Sequence, residues 1–278
     1  MYILTPGRQR HVQRLPEIFR RANVAGKNKG KTMDLTFVGC GDAFGTGGRF
    51  NTCFYVQAKN TAFLIDCGAT SMTAIRHHGI NPNSIDTILL THLHGDHFAG
   101  IPFFILDAQL YSKREKDLVV AGPPGTRARL HDAMELLFPG STDAPRKFET
   151  IVVEMPKLET TDVGGLKVET FPVSHACGDP PYALRVSVDG KTVAYTGDTQ
   201  WCDGVRGAGK NADLFITECL FFDKSVKGHL DLKTLEAHMP DIAPKRLILT
   251  HFGPDMMAHL DDFAKDYELA EDGKVVNF

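Results

Sequence analysis

The densest run of chemistry in the chain is Thr91-His92-Leu93-His94-Gly95-Asp96-His97, which directly follows the apolar stretch Thr87–Leu90. Four metal-competent side chains fall within six positions, on a loop at the end of a predicted buried strand. His92 and His94 alternate as strand residues do, so both rings can face one ion. Past Gly95 the chain can turn and present Asp96 and His97 to a neighbouring site. Imidazole and carboxylate donors suit zinc, and also manganese or iron. Ligands delivered in this way belong to folds whose strands end together at a sheet edge.

The remaining pattern agrees with such a fold. Short β-branched runs bounded by Gly, Asn or Asp predict strands at Leu35–Val38, Cys53–Gln57, Ala62–Ile65 and Thr87–Leu90. A second set falls at Leu118–Val120, Thr150–Val153, Leu166–Phe171, Ala183–Val188, Thr192–Thr196, Leu214–Thr217 and Arg246–Thr250. Helices are expected at Thr70–His78, just after His97 with Pro102 in a first turn, and at Thr126–Leu137, Leu232–Met239 and Met257–Tyr267. The strands come in two blocks, near 33–120 and 148–250, each with helices attached. That order predicts an α/β architecture of two facing mixed sheets covered by helices on their outer faces.

Three further residues stand at predicted strand ends: His175 in Pro172-Val173-Ser174-His175, Asp198 in Thr196-Gly197-Asp198, and His251 in Thr250-His251. Singly, each is an ordinary hydrogen-bonding residue. Together with the loop they make seven donors, enough for two adjacent divalent ions. One ion would take His92, His94 and His175, the other Asp96, His97 and His251, with Asp198 bridging.

The run Thr91–His97 resembles the H-x-H-x-D-H signature of the metallo-β-lactamase superfamily, and His175, Asp198 and His251 match its later ligand motifs in order. The resemblance implies an αβ/βα four-layer sandwich with a dinuclear site, usually zinc, between the sheets. Asp198 at the bridging position and His94 at the second point to the hydrolase branch that is neither antibiotic-degrading nor redox-active. Within it, Phe37–Asp42 with Arg49 and Asn51, Leu64–Gly68, Glu218, Gly228-His229 and Glu271-Asp272-Gly273 look like ribonuclease Z-like enzymes. In that group Asp66 supports ligands rather than binding metal, and Glu218 and His229 form a catalytic pair.

Two departures narrow the function. Only 22 residues separate His175 from Asp198, too few for the long arm with which ribonuclease Z grips transfer RNA. His229-Leu230-Asp231 is closer to the His-x-Asp-Leu of a cyclic-phosphate phosphodiesterase that also lacks the arm. The expected activity is therefore hydrolysis of small or cyclic phosphodiesters by a hydroxide bridging two ions. Asp96 would hold the nucleophile's proton, while His229, oriented by Glu218, would protonate the leaving oxygen. The competing readings are an RNA-processing endonuclease of ribonuclease Z type, an aryl sulfatase- or lactonase-type ester hydrolase, and a metal-bound scaffold without turnover. Arg49 either contacts substrate phosphate or pairs with an acid near the site. His77 and His78 fall near a predicted helix end, where a cation suits the dipole, and His11, His131, His238 and His259 have no partner pattern.

Charge and cysteines bound the rest. Residues 1–32 hold eight Lys or Arg and one acid, Glu17, while the remaining 246 residues hold 23 bases and 33 acids. The leader reads as a poorly ordered basic extension before a hydrolase domain at 33–278, and it is also the segment that could grip RNA. Six cysteines without a C-x-x-C pair argue against a disulfide framework and for a reducing, cytoplasmic setting. No run approaches the ~20 apolar residues of a membrane-spanning helix. A homodimer is compatible with this composition.

Overall fold

The computed structural model describes residues 33–178 and 180–278, so the basic leader and its His11 lie outside the described residues. The first sheet comprises β1 (Asp34–Gly39), β2 (Cys53–Gln57), β3 (Ala62–Ile65), β4 (Thr87–Leu89), β5 (Leu118–Gly122) and β6 (Thr150–Glu154). The second comprises β7 (Thr160–Val163), β8 (Leu166–Pro172), β9 (Tyr182–Val188), β10 (Lys191–Tyr195), β11 (Leu214–Glu218) and β12 (Leu247–Thr250). The last strand, β13 (Val275–Asn277), returns to the first sheet and pairs antiparallel with β1. The orders are β13-β1-β2-β3-β4-β5-β6 and β12-β11-β10-β9-β8-β7.

From β3 to β6, and from β10 to β12, neighbouring strands are parallel. Parallel neighbours need a crossover, and helices supply it. These are α1 (Ser71–His77), the pair α2 (Gly95–Phe98) and α3 (Ile101–Leu110), α4 (Thr126–Leu137), α5 (Asp203–Gly209) and α6 (Leu232–Ile242). After β12 follow α7 (Pro254–Ala258) and α8 (Leu260–Phe263).

Alternation along the strands decides which layer each side chain joins. In β2, Phe54 and Val56 pack in one buried cluster with Phe37, Leu184, Val193, Tyr195 and Ile216, which is the interface between the sheets. Tyr55, between them, faces the opposite way with Leu64, Ile88, Ile75, Phe104 and Leu130, under α1, α3 and α4. Ala194, Phe215, Val205 and Ile242 form the corresponding layer beneath α5 and α6. The result is the αβ/βα sandwich. Phe54 meets Phe37 and Tyr195 edge-on, at 5.0 and 4.9 Å between ring centroids, and so rivets one sheet to the other.

The structure corrects the sequence expectation at several points. The two blocks of strands do not map cleanly onto two sheets, because β6 and β13 both join the first. The short strands β7 and β13 and the glycine-containing helix α5 add to the elements expected from the sequence. The single helix expected over Met257–Tyr267 is two short ones, interrupted where His259 leaves helical geometry at φ −110° and ψ 14°. Cys40, Cys53, Cys67, Cys202 and Cys219 are free thiols. Among the described residues no helix is long and apolar enough to cross a membrane.

Candidate metal centre

Strand direction places the site. β1, β3 and β4 in one sheet and β8, β10, β11 and β12 in the other all end at the same edge. Their ends deliver Asp66, His92 and the loop after it, His175, Asp198, Glu218 and His251. The two edges are stitched together by His251 N–H to the Cys40 carbonyl at 3.1 Å and by Tyr182 N–H to the Thr91 carbonyl at 2.9 Å.

Asp66 anchors the histidine loop. It takes a left-handed backbone at φ 59° just past β3 and lies fully buried. One carboxylate oxygen accepts from Thr91 N–H at 2.8 Å. The other accepts from Thr91 Oγ1 at 2.8 Å and lies 2.7 Å from His97 Nδ1. Burial pushes the Asp66 carboxyl above its ordinary range even against His97 and the two Thr91 donors. With Nδ1 of His97 turned to Asp66, its Nε2 is the ring atom that faces the cluster.

That nitrogen faces carboxylate oxygens. His97 Nε2 lies 3.1 Å from Asp198 Oδ1 and 3.2 Å from Asp96 Oδ2, and His251 Nε2 lies 3.4 Å from Asp198 Oδ2. His92 Nε2 and His175 Nε2 are each 4.0 Å from Asp198 Oδ2. His175 Nε2 lies 3.0 Å from His94 Nδ1. Donor atoms of His92, His94 and His175 gather within 4.8 Å of one another, as do those of Asp96, His97, Asp198 and His251. The structure thus brings all seven expected side chains together, in the two expected groups, with Asp198 a member of one and within 4.0 Å of the other. Atoms of His175, Asp198 and His229 converge within the same limit.

The residues fit a pair of cations. His92 Nε2, His97 Nε2 and Asp198 Oδ1 are buried with no hydrogen-bond partner, and an unpartnered buried polar atom is costly. Lone pairs and carboxylate oxygens about 3 Å apart repel unless positive charge lies between them. The ring charges show the same frustration. Burial opposes a charge on His97, yet Asp198, Asp96 and Asp66 outweigh it and raise that ring well above the ordinary histidine value. Burial pushes His92 well below it. Asp198 is held well below the ordinary carboxylate range, because His251 and His97 overcome its burial.

The remaining expected residues gather around this cluster. Glu218, at the end of β11 and fully buried, has its two oxygens 3.2 Å from His229 Nδ1, and Oε1 also accepts from Thr199 N–H at 2.5 Å. Burial, then the Asp198 charge, pushes the Glu218 carboxyl well above its ordinary range. Arg49 finds no carboxylate among the described residues; its guanidinium sits 5.6 Å from the centre of the Phe252 ring and against Met257 Sδ. Asp272 braces the loops behind the site, accepting from Cys40 N–H at 3.0 Å and Phe50 N–H at 2.8 Å. Outside the site, His238 stacks on Trp201 and His259 on Phe222.

Sequence reasoning missed the partners that orient two of the histidines. Thr52 Oγ1 lies 3.2 Å from His251 Nδ1, and the Gly228 carbonyl lies 2.8 Å from His175 Nδ1. These partners are 199 and 53 residues away along the chain, so no local spacing reveals them.

Comparison with known proteins agrees with this geometry. The family model described as Anti-Pycsar protein Apyc1 matches residues 33–276. A ribonuclease Z of Methanothermobacter thermautotrophicus is 26% identical over 270 aligned positions, covering 79% of this chain and 86% of that one. The metallo-beta-lactamase fold protein YhfI from Bacillus subtilis superposes with a TM-score of 0.69 at 23% identity, over 89% of this chain and 100% of that one. The short form of human tRNase Z gives 0.70 at 25% identity, over 87% and 98%. Two facing mixed sheets, a His/Asp cluster at their shared edge and these likenesses place the chain among the metal-dependent hydrolases of metallo-β-lactamase fold in the ribonuclease Z-like branch, and it belongs to the Anti-Pycsar protein Apyc1 family.

Proposed function

We propose that the protein is a dinuclear phosphodiesterase acting on small or cyclic phosphodiesters. The observation that carries this reading is the His229–Glu218 pair at 3.2 Å, set beside the two donor groups. Glu218 fixes Nδ1 of His229, which leaves Nε2 for a substrate atom. The His229 side chain is 21% exposed whereas Glu218 is sealed, so the imidazole is reachable and its orienting acid is not.

His92, His94 and His175 would hold one divalent ion, and Asp96, His97 and His251 the other, with Asp198 shared; three to four N and O donors per ion suit zinc. When bound, such a pair lowers the pKa of a water toward ~7 and offsets the charge of the phosphate. Asp96 lies at the rim of its group and can take the proton of the attacking water. His229 would donate a proton to the departing oxygen, while Glu218 keeps its ring oriented through Nδ1. General acid help of this kind is worth ~10²–10⁴ in rate.

Topology supports a small substrate. The segment between His175 and Asp198 is largely spent on the hairpin of β9 and β10, so no arm extends from it among the described residues. The alternative substrate is RNA, supported by the ribonuclease Z relative and by the basic residues 1–32. Large apolar side chains left exposed at Leu110, Tyr111, Leu136 and Leu137, around α3 and α4, support a homodimer, which light scattering tests.

The deciding assay presents purified, zinc-loaded protein with bis-p-nitrophenyl phosphate, a 2′,3′-cyclic nucleotide, a 3′,5′-cyclic nucleotide and a transfer-RNA precursor. Turnover of the small diesters with the precursor left intact supports the proposal. Cleavage of the precursor alone, with affinity that falls steeply with salt and is lost when residues 1–32 are removed, favours the RNA reading.

A further inference from the structure

The dipeptide Thr199-Gln200, next to Asp198, touches both halves of the site. Thr199 N–H donates to Glu218 Oε1 at 2.5 Å, and Glu218 holds His229. The Gln200 side chain reaches the other way, its Oε1 accepting from Gly228 N–H at 3.1 Å. Gly228 in turn presents its carbonyl to His175 Nδ1 at 2.8 Å. Gln200 is itself fixed through its backbone, donating to the Ser174 carbonyl at 3.1 Å, while Ser174 N–H donates to Thr199 Oγ1 at 3.0 Å.

Gly228 is suited to sit between them. Its φ is +91°, and a Cβ there would come within 3.3 Å of His175 Nδ1. It ties the exposed stretch Asp223–Lys227 back to the site, one residue before His229. Two cavities, of about 390 and 310 Å³, share Gln200 and Lys227 in their walls; the first reaches His175 and the second His229.

We propose that Gln200 is a positioning residue that, through Gly228, couples the orientation of His175 to the placement of His229. Its carbonyl oxygen holds Gly228 so that the Gly228 carbonyl accepts the Nδ1 proton of His175, which selects Nε2 as the ring atom facing the donor cluster. The same hold sets where the next residue, His229, enters the site. The part concerning His229 rests on the proposed function; the part concerning His175 does not.

The test compares Gln200→Leu, which keeps the length and removes the acceptor, with Gln200→Glu, which keeps an acceptor. Zinc affinity is read by competition with a chromophoric chelator, and kcat and KM with bis-p-nitrophenyl phosphate. Partners of metal-bound histidines are worth ~10–100-fold in affinity or activity. Gln200→Leu is expected to weaken the zinc of the His92, His94 and His175 group about tenfold and lower kcat about tenfold with KM within about twofold, and Gln200→Glu to restore both within about threefold. Unchanged zinc affinity in Gln200→Leu overturns the coupling, as does a loss that Gln200→Glu shares in full. Should Gln200→Leu fail to fold, Gly228→Ala attacks the same link, and wild-type zinc affinity in that variant overturns the proposal. An unaltered protein that hydrolyses no diester sinks the proposed function instead, while the zinc measurements still decide the link to His175.

Discussion

Asp66 and His97 are both sealed from solvent and meet at 2.7 Å, carboxylate oxygen to Nδ1, with Thr91 donating twice to the same carboxylate. This contact sets which nitrogen of His97 faces Asp96 and Asp198, so a residue outside the cluster governs the chemistry inside it.

Replacing Asp66 with Asn keeps the shape and removes the charge that holds the His97 Nδ1 proton. Zinc affinity is expected to fall ~10–100-fold, as for other orienting carboxylates. Chelator competition measures it, and wild-type affinity in Asp66→Asn contradicts the role given to this contact.

His229→Ala leaves the seven donors intact. Both zinc ions are expected to remain while turnover of bis-p-nitrophenyl phosphate falls ~10²–10⁴-fold. Metal analysis and steady-state kinetics on one preparation decide it; a matching loss of zinc makes His229 a structural residue.

The strand that ends at His251 is braced at its other end by Arg246, which grips Glu268 through two bonds of 2.7 Å. The hydrogen bond to Arg246 lowers the Glu268 carboxyl below its ordinary 4.5. A carboxyl whose folded pKa is depressed adds stability above its unfolded pKa and loses it as pH falls through the folded value. Because both side chains are partly exposed, the effect is small, about 0.2–1 kcal/mol. Glu268→Gln is expected to lower the unfolding midpoint slightly at pH 7 and not at all near pH 2. An equal difference at both pH values contradicts it.

The cluster was legible in the sequence because four of its seven donors fall within six positions and the rest follow predicted strands, where period-two burial is easy to read. Glu218 and His229 were legible only through family resemblance. What stayed hidden was set by distant contacts. β13 has three residues and gains its identity by pairing Val275 with Thr36 across the chain. Helix α5 carries three glycines, poor helix formers; close packing explains Gly207, where a Cβ would lie 2.7 Å from the Phe171 ring. Thr52 and Gln200 gained roles only once β2 and the 225–230 segment were brought against His251 and His175.

The central claim, that seven residues from four loops hold two cations with Asp198 shared, is tested most directly by elemental analysis of the protein and of Asp198→Ala after equilibration with zinc and gel filtration. About two ions per chain in the first and fewer than one in the second is the expected result, since one carboxylate serves both. Fewer than one tightly held ion in the unaltered chain, or two full equivalents in Asp198→Ala, contradicts it.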